Sequence, residues 1–203
     1  MELPLDIDQI KGFLAAEEGA ALYTRARSIA AIGPALEIGS YCGKSTVYLG
    51  LACQQSNNTL YAVDHHVGSE EHQPGEMFHD PDLFDPGAQK MDSFTTFRDT
   101  LRRAGLEQSV VPVVAPSALA ARHWNTGLGM IFIDGGHSLE AALTDYRSWV
   151  GHLRQHGILA IHDLFPNPAD GGHAPYTIYK LAIASGLFDQ LGQVGTLGLL
   201  RRL

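Results

Sequence analysis

Apolar residues along this chain form short runs that alternate with longer stretches of helical spacing. Mainly apolar runs of four or five residues occur at 35–38, 60–63, 110–114, 130–133 and 158–161. Polar residues follow each run, and a helical pattern usually comes next. Such alternation predicts parallel strands joined by crossover helices. Because the runs are almost continuously apolar, we expect the sheet to be covered on both faces.

The two ends of the chain complete this pattern. Apolar residues between positions 6 and 31 recur at helical spacing with an interruption near Gly19, which predicts two N-terminal helices within residues 1–32. Two apolar stretches on either side of Gly195 predict a closing hairpin over 188–203. The whole pattern predicts one Rossmann-like, doubly wound α/β domain over residues 1–203. Its sheet is expected to be mostly parallel and seven-stranded, with helices on both faces and a C-terminal antiparallel hairpin.

One segment does not fit the alternation. Residues 65–92 directly follow the second strand and are rich in Pro, Gly, Asp, Glu and His. A loop of this length inside a compact domain is usually functional or disordered. We expect an active-site lid or an oligomer arm, with a solvated insertion as the alternative.

Composition and charge limit the kinds of partner that the protein is expected to bind. The chain has 14 Lys and Arg against 22 Asp and Glu, and this formal charge of −8 argues against a nucleic-acid backbone as partner. It has no apolar run long enough for a membrane span and no basic, apolar N-terminal signal, so we expect a cytoplasmic protein without a membrane partner. Cys42 and Cys53 lack the CxxC spacing of a structural zinc site.

The turn after the first predicted strand contains two glycines. Residues 35–46 read ALEIGSYCGKST, and Gly-Lys-Ser also closes a phosphate-binding P-loop. Here three residues, not four, separate Gly39 from Gly43, so the P-loop spacing is one residue short. Tyr41 stands where the dinucleotide fingerprint needs its second glycine. The turn therefore does not predict a phosphate or pyrophosphate site.

Acidic residues close the first two predicted strands. Glu37 lies at the end of the first strand and Asp64 at the end of the second. In an open α/β sheet these strand ends face one crevice, where ligands bind. A carboxylate at Asp64 would accept hydrogen bonds from ribose hydroxyls.

The sequence EIGSYCGKS followed by YAVD resembles motifs I and II of the class I S-adenosylmethionine-dependent methyltransferases. The resemblance extends roughly from Glu17 to the end of the chain. It implies S-adenosylmethionine as cofactor, with Asp64 at the ribose and Ser117 beside the adenine. The cofactor-binding residues that it implies are Glu37, Gly39, Ser40, Tyr41, Gly43, Ser45, Asp64, His65, Ser117 and Asp134.

A second group of polar residues follows the fourth and fifth strands. MIFIDGGHS contains Asp134, and ILAIHDLFP contains His162 and Asp163. These strand ends are expected to converge on the same crevice. Two carboxylates and an imidazole are a suitable ligand set for a divalent cation, although each Asp alone would also serve as a helix N-cap.

Residues 132–165 are similar to the small metal-dependent O-methyltransferases of antibiotic-sugar tailoring and to the related cephalosporin-hydroxylase-like group. In those families three carboxylates hold magnesium beside the acceptor hydroxyl. Here His162 replaces the first member of the last acidic pair, and imidazole suits manganese, iron or zinc better than magnesium. We therefore expect Mg²⁺ or Mn²⁺ at Asp134, His162 and Asp163. The alternatives are that His162 is an outer-sphere group or base, or that the enzyme needs no metal.

These features together predict an O-methyltransferase acting on a hydroxyl of a sugar or saccharide. His137 is the first candidate for the base that deprotonates this hydroxyl, followed by His65 and His162. The motif set is also similar to actinobacterial saccharide methyltransferases, including those of methylmannose polysaccharides. The expected partner is a small-molecule or oligosaccharide acceptor, and a homodimer is expected. The alternatives are a hydroxylase-like or N-methylating enzyme on this scaffold, or a non-catalytic cofactor-binding subunit.

Overall fold

Strands and helices alternate along the chain in the computed structural model, which describes residues 1–76, 78–167, 169 and 172–203. The α-helices of the described residues are α1 (Ala16–Ser28), α2 (Lys44–Gln55), α3 (Phe94–Ala104), α4 (Ser117–Ala121), α5 (Leu139–Trp149) and α6 (Ala174–Ala184). Their strands are β1 (Ala35–Ile38), β2 (Leu60–Asp64), β3 (Phe84–Asp85), β4 (Lys90–Met91), β5 (Val110–Val114), β6 (Leu128–Ile133), β7 (Leu153–Ile161), β8 (Phe188–Val194) and β9 (Leu197–Arg202).

The main sheet has seven strands in the order β5-β2-β1-β6-β7-β9-β8. The first five in this order are parallel, and β9 pairs antiparallel with both β7 and β8. The predicted mostly parallel, doubly wound sheet with a C-terminal hairpin is confirmed. No helix among the described residues is both long enough and apolar enough to cross a bilayer.

Both faces of the sheet are covered, as the apolar strands predict. One core contains Leu22 of α1, Leu49 of α2 and Phe97 of α3. The other contains Trp149 of α5 and Ile178 of α6. The central strands β1 and β6 are thus buried between two helical layers, and the carboxyl ends of the parallel strands open at one edge.

The predicted pair of N-terminal helices is wrong. Only a short 3₁₀ turn, Ile7–Gln9, precedes the 13-residue helix α1, which continues through Gly19. A Cβ atom at Gly19 would overlap the ring of Tyr48 on α2. The glycine therefore allows α1 and α2 to pack closely, and it does not end a helix.

Residues 65–92 are not a structureless loop. They form two 3₁₀ turns, Glu70–His72 and Pro81–Leu83, and the two-stranded hairpin β3–β4; Met77 lies outside the described residues. Leu83 and Met91 pack against Cys42 in a small buried cluster. The ammonium of Lys11 pairs with Asp80 and Asp82, at 2.6 and 2.9 Å. These contacts hold the segment, called the cover segment below, against the domain and its N-terminal residues.

Candidate functional site

A cavity of about 960 Å³ lies at the carboxyl ends of β5, β2, β1, β6 and β7. The N-terminal residues 11–14 and the cover segment form its outer wall. The residues predicted from sequence that line it are Gly39, Ser40, Tyr41, Ser45, Asp64, His65, Ser117, Asp134, His137, His162 and Asp163.

The loop after β1 is held in place by Asp64. One carboxylate oxygen accepts the backbone N–H groups of Ser40 and Tyr41, both at 2.9 Å, and the other accepts that of His66 at 2.7 Å. Gly39 has φ +87°, and a Cβ there would collide with the backbone carbonyl of Asp134. A carboxylate has about four acceptor positions, so one of Asp64 remains for a ligand. Asp64 therefore orders residues 39–43, called the glycine loop below, in addition to lining the cavity.

Glu37 and Gly43 do not line the cavity, although both were predicted to bind the cofactor. Glu37 is fully buried, and its carboxyl accepts the hydroxyls of Ser45 and Thr46 at 2.5 and 2.6 Å. Gly43 begins α2, and its Cα faces Phe97 of α3. Side chains alternate between the two faces of a strand, and that of Glu37 points toward α2. Its hydrogen bonds hold the start of this helix against β1.

Glu37 is expected to make stability depend on pH. Burial raises its pKa to about 7 from an ordinary 4.5, although the two hydroxyls lower it. The folded state therefore binds this proton more tightly than the unfolded state, and the stabilisation present below pH 4.5 is lost as the pH rises through about 7. A shift of this size corresponds to roughly 3 kcal/mol. Urea unfolding between pH 5 and 8 should show most of that loss in the native protein.

The variant Glu37→Gln should flatten this pH profile, because its amide does not titrate and its carbonyl still accepts a hydroxyl. Glu107→Gln is the matched control, since Glu107 is exposed. Equal pH slopes for Glu37→Gln and the native protein would contradict the assignment.

Asp134, His162 and Asp163, called the acidic cluster below, meet at the ends of β6 and β7. Each offers a ligand atom, and these atoms lie within 4.8 Å of one another. Nδ1 of His162 is 3.0 Å from Asp134 Oδ1 and 3.4 Å from Asp163 Oδ1. Its Nε2 is 3.0 Å from Oε2 of Glu18 on α1. The three residues predicted as metal ligands are thus brought together, with Glu18 behind them.

In the metal-free protein, the carboxylates that face both ring nitrogens favour the doubly protonated form of His162. Burial lowers its pKa, but the charge of Asp134 and the hydrogen bonds of the three carboxylates raise it to about 12. Burial raises the pKa of Glu18, and the hydrogen bonds from His162, Ala15 and Thr196 lower it to about 2. While a proton is held on each ring nitrogen, His162 does not act as a base.

His137 bridges the acidic cluster and the cover segment. Its Nε2 lies 3.0 Å from Asp163 Oδ2, and its Nδ1 lies 2.9 Å from Glu71 Oε1. The hydrogen bonds to Asp163 and Glu71 raise the pKa of His137 to about 10. Both nitrogens donate, so His137 accepts a proton only after one of these carboxylates has moved away.

His65, the second base candidate, lies apart from the acidic cluster. Its Nδ1 accepts the N–H of Val67 at 3.1 Å and stands 4.0 Å from Asp64 Oδ1. The structure therefore brings His137 and His162 to the carboxylates after β6 and β7, and leaves His65 beside Asp64.

Two acidic residues of the site were not predicted: Glu18 and Asp145. Glu18 lies four positions before Leu22 on the buried face of α1, and Asp145 lies between Ala142 and Trp149 on the buried face of α5. A carboxylate on an apolar helical stripe is the signal that would have found these two.

The chain matches a known protein family and is similar to several solved structures. The model of a family described as "Methyltransferase domain" matches residues 36–164. Cofactor-bound Rv0187 from MTB has a similar structure, with a TM-score of 0.66, 16% identity, and coverage of 96% of this chain and 83% of that one.

Two further solved structures are similar. The O-methyltransferase from Bacillus cereus in complex with SAH has a TM-score of 0.63 and 15% identity, over 94% of this chain and 82% of that one. SAH-bound PaMTH1, a methyltransferase from Podospora anserina, has a TM-score of 0.65 and 13% identity, over 94% of this chain and 80% of that one. At these identities the likeness shows the fold.

Proposed function

The chain belongs to the methyltransferase-domain family, and from this premise we propose that it transfers a methyl group from S-adenosylmethionine to a saccharide hydroxyl with the help of a divalent cation. The predicted enzyme class, a methyltransferase, is confirmed by the family match. The observation that carries the finer proposal is the acidic cluster, which lies in the same cavity as the glycine loop.

The glycine loop fits the cofactor. The hydroxyl oxygen of Ser40 is buried, lines the cavity and has no hydrogen-bond partner among the described residues. Buried polar atoms are rarely left unpaired, so this hydroxyl favours a polar ligand atom beside it. The remaining acceptor position of Asp64 suits a ribose hydroxyl. SAH in the similar structures from Bacillus cereus and Podospora anserina supports the same assignment.

The acidic cluster fits a divalent cation. With His162 Nδ1 as a ligand, its Nε2–H would still donate to Glu18, which is the arrangement that orients metal-binding histidines in proteins. Asp134 and Asp163 would supply the anionic oxygens. When bound, S-adenosylmethionine supplies an electrophilic methyl group, and the cation supplies a Lewis acid that lowers the pKa of a hydroxyl.

His137 is the proposed proton acceptor for the acceptor's hydroxyl. It lies on the cavity wall beside Asp163, and its second nitrogen faces Glu71 of the cover segment. An acceptor that displaces Glu71 would lower the pKa of the ring, so that Nδ1 releases its proton to solvent. The neutral ring, with Nε2–H held by Asp163, could then take the proton of the acceptor's hydroxyl at Nδ1. This arrangement of an oriented imidazole beside a hydroxyl is what general-base catalysis requires.

The mouth of the cavity supports a saccharide as acceptor. Phe13 lines the cavity, and its exposed ring lies edge to face at 5.2 Å with that of Phe78, which lines an adjoining pocket. Tyr41 stacks on His72 at 5.3 Å, and Glu70, Glu71 and Glu76 line the same cavity. Aromatic faces pack against sugar rings, and carboxylates accept several hydroxyl hydrogen bonds.

Calorimetry with S-adenosylhomocysteine tests cofactor binding. The protein should bind it, and Asp64→Ala should weaken binding at least about tenfold, because the substitution removes the ribose acceptor and releases the glycine loop. Asp99→Ala is the control, since Asp99 lies on α3 and pairs with Arg102. Absence of any heat or thermal shift with the native protein would overturn the proposed cofactor.

A mass-spectrometric screen tests the acceptor. Labelled methyl transfer is measured onto mono- and oligosaccharides, with and without added Mg²⁺ or Mn²⁺. We expect methylated hydroxyls that depend on the added cation. Transfer to amines alone would support the N-methylating alternative and contradict the saccharide proposal.

A further inference from the structure

Glu18 is a buried acidic residue that lies behind the acidic cluster. It is 3% exposed and is not part of the cavity wall. In the first turn of α1 a carboxylate can reach back to a backbone N–H that the helix leaves free, and Oε2 of Glu18 accepts the N–H of Ala15 at 3.0 Å. This local contact explains an acidic residue at the start of α1, but it does not explain why the carboxylate is buried beside the end of β7.

The turn between β8 and β9 holds the other oxygen of Glu18. Oε1 accepts the backbone N–H of Thr196 at 2.7 Å and its hydroxyl at 2.9 Å. Gly195 has φ +56°, and a Cβ there would lie 2.5 Å from Oε1, so this turn requires glycine beside the carboxylate. Two separate elements, α1 and the C-terminal hairpin, therefore fix the orientation of the Glu18 carboxylate.

The remaining contact of Glu18 is with the ring of His162. Nε2 of the ring lies 3.0 Å from Oε2 of Glu18. Nδ1 faces the cavity side, 3.0 Å from Asp134 Oδ1 and 3.4 Å from Asp163 Oδ1. An ionised carboxylate only accepts hydrogen bonds, so Glu18 keeps a proton on Nε2. In a neutral imidazole the other nitrogen then carries the free electron pair, and here that nitrogen is Nδ1.

We propose that Glu18 is a positioning residue that leaves Nδ1 of His162 as the ligand atom and thereby gives the acidic cluster a preference for Mn²⁺ over Mg²⁺. The inference rests on the proposed function and goes beyond it, because it assigns the choice of cation to a residue outside the cavity. A nitrogen ligand favours Mn²⁺ over Mg²⁺, whereas carboxylate oxygens suit both cations. On binding, the proton of Nδ1 leaves to solvent, and the proton of Nε2 stays on the ring beside Glu18.

The variant Glu18→Gln tests this role with little change of shape. Four donor groups converge on the two oxygens of Glu18, and an amide offers only one oxygen. If the NH₂ group faces His162, it donates to Nε2, and the ring proton is then on Nδ1. If the NH₂ group faces Thr196, donors meet and the side chain cannot keep its place. Either arrangement removes the nitrogen ligand or its fixed orientation.

Cation binding is measured on protein freed of metal with EDTA, by electron paramagnetic resonance titration with Mn²⁺ and by competition with Mg²⁺. We expect Glu18→Gln to weaken Mn²⁺ binding by about 10- to 100-fold, the usual effect of removing the outer partner of a metal ligand. Mg²⁺ binding should fall less, so the two dissociation constants should become more similar. Pulsed electron paramagnetic resonance of the Mn²⁺-loaded native protein should show coupling to a nitrogen nucleus, and this coupling should be lost in the variant.

Two comparisons separate this role from a loss of folding stability. Glu17→Gln removes the same charge from the neighbouring, exposed position of α1, and it should keep the native Mn²⁺ preference and nitrogen coupling. In a His162→Asn background, Glu18→Gln should not weaken Mn²⁺ binding further, because the ring through which Glu18 acts is absent. Glu18→Asp keeps the charge on a shorter side chain; it serves as the test if Glu18→Gln does not fold, and it should change the preference in the same direction.

Four results would overturn the inference. An unchanged Mn²⁺ preference with unchanged nitrogen coupling in Glu18→Gln contradicts the role of Glu18, and so does an equal loss of affinity in the His162→Asn background. A native Mn²⁺ complex without nitrogen coupling contradicts it too, because His162 is then not a ligand. Failure of the native protein to bind Mn²⁺ contradicts the proposed cation itself. Failure of the inference and failure of the proposed function are therefore distinguishable.

Discussion

Replacement of Asp163 by Asn is expected to weaken Mn²⁺ binding at least about 100-fold, because the variant loses a charged metal ligand. The Asp163 carboxylate lies between His162 and His137, at 3.4 and 3.0 Å. Its backbone has φ +56°, in the left-handed region that Asn adopts as readily as Asp. The substitution therefore changes the charge and leaves the backbone conformation intact.

The measurement is a Mn²⁺ titration, followed by electron paramagnetic resonance and calorimetry, on protein freed of metal with EDTA. Asp134→Asn should give a similar loss, since its carboxylate is the other anionic ligand. The native protein should bind Mn²⁺ more tightly than Mg²⁺, because one ligand is an imidazole. Asp189→Asn is the control; Asp189 is half-buried on β8 and pairs with Arg201 at 2.9 Å.

The metal proposal would be contradicted in two ways. One is unchanged Mn²⁺ affinity in both Asp134→Asn and Asp163→Asn. The other is full methyl transfer by the native protein in EDTA. Loss of affinity in Asp189→Asn would instead indicate a nonspecific effect of charge.

Glu18→Ala is expected to lower the free energy of unfolding by about 3–5 kcal/mol, the usual effect of removing one partner of a buried ion pair. The Glu18 carboxylate accepts the N–H and hydroxyl of Thr196, at 2.7 and 2.9 Å, and the N–H of Ala15 at 3.0 Å. It also holds Nε2 of His162 at 3.0 Å. Without it, a buried imidazolium and three other donors lose their partner.

Urea unfolding of the metal-free protein measures this effect, and Glu17→Ala is the matched control. Glu17 is the neighbouring residue in the first turn of α1, and it is exposed. Both substitutions remove a favourable charge from the helix N-terminus, so the difference between them isolates the buried contacts. The control should lie within about 0.5 kcal/mol of the native protein. Equal losses in the two variants would contradict the buried ion pair.

Strand positions were predicted well where apolar runs have clear polar or glycine boundaries. β1 and β5 begin and end at the predicted residues, Ala35–Ile38 and Val110–Val114. β7 begins at Leu153, five residues before the predicted start, because Leu153 pairs with Leu128 of β6 and an irregular stretch with exposed polar residues separates it from Ile158. The spacing of apolar residues indicates which residues are buried. It therefore does not detect strand residues whose side chains are exposed to solvent.

Helix interruption and buried charge were predicted less well, for a related reason. Gly19 was interpreted as a break, but its function depends on the ring of Tyr48, which lies on another helix. Glu18 was not predicted as a site residue, because its partner His162 lies 144 positions away in sequence. The local spacing of apolar and polar residues gives no signal of either contact.

The sequence by itself determined the order of strands and helices, and with it the edge of the sheet where Asp64, Asp134 and Asp163 lie. Local periodicity and parallel connections are sufficient for that placement, since the ends of parallel strands meet at one edge. Only the tertiary structure decided that Glu37 faces α2 and that His65 lies apart from the acidic cluster. It also decided that each ring nitrogen of His137 contacts a carboxylate. Such partners depend on contacts between distant segments and on the desolvation that these contacts cause, which local residue spacing does not record.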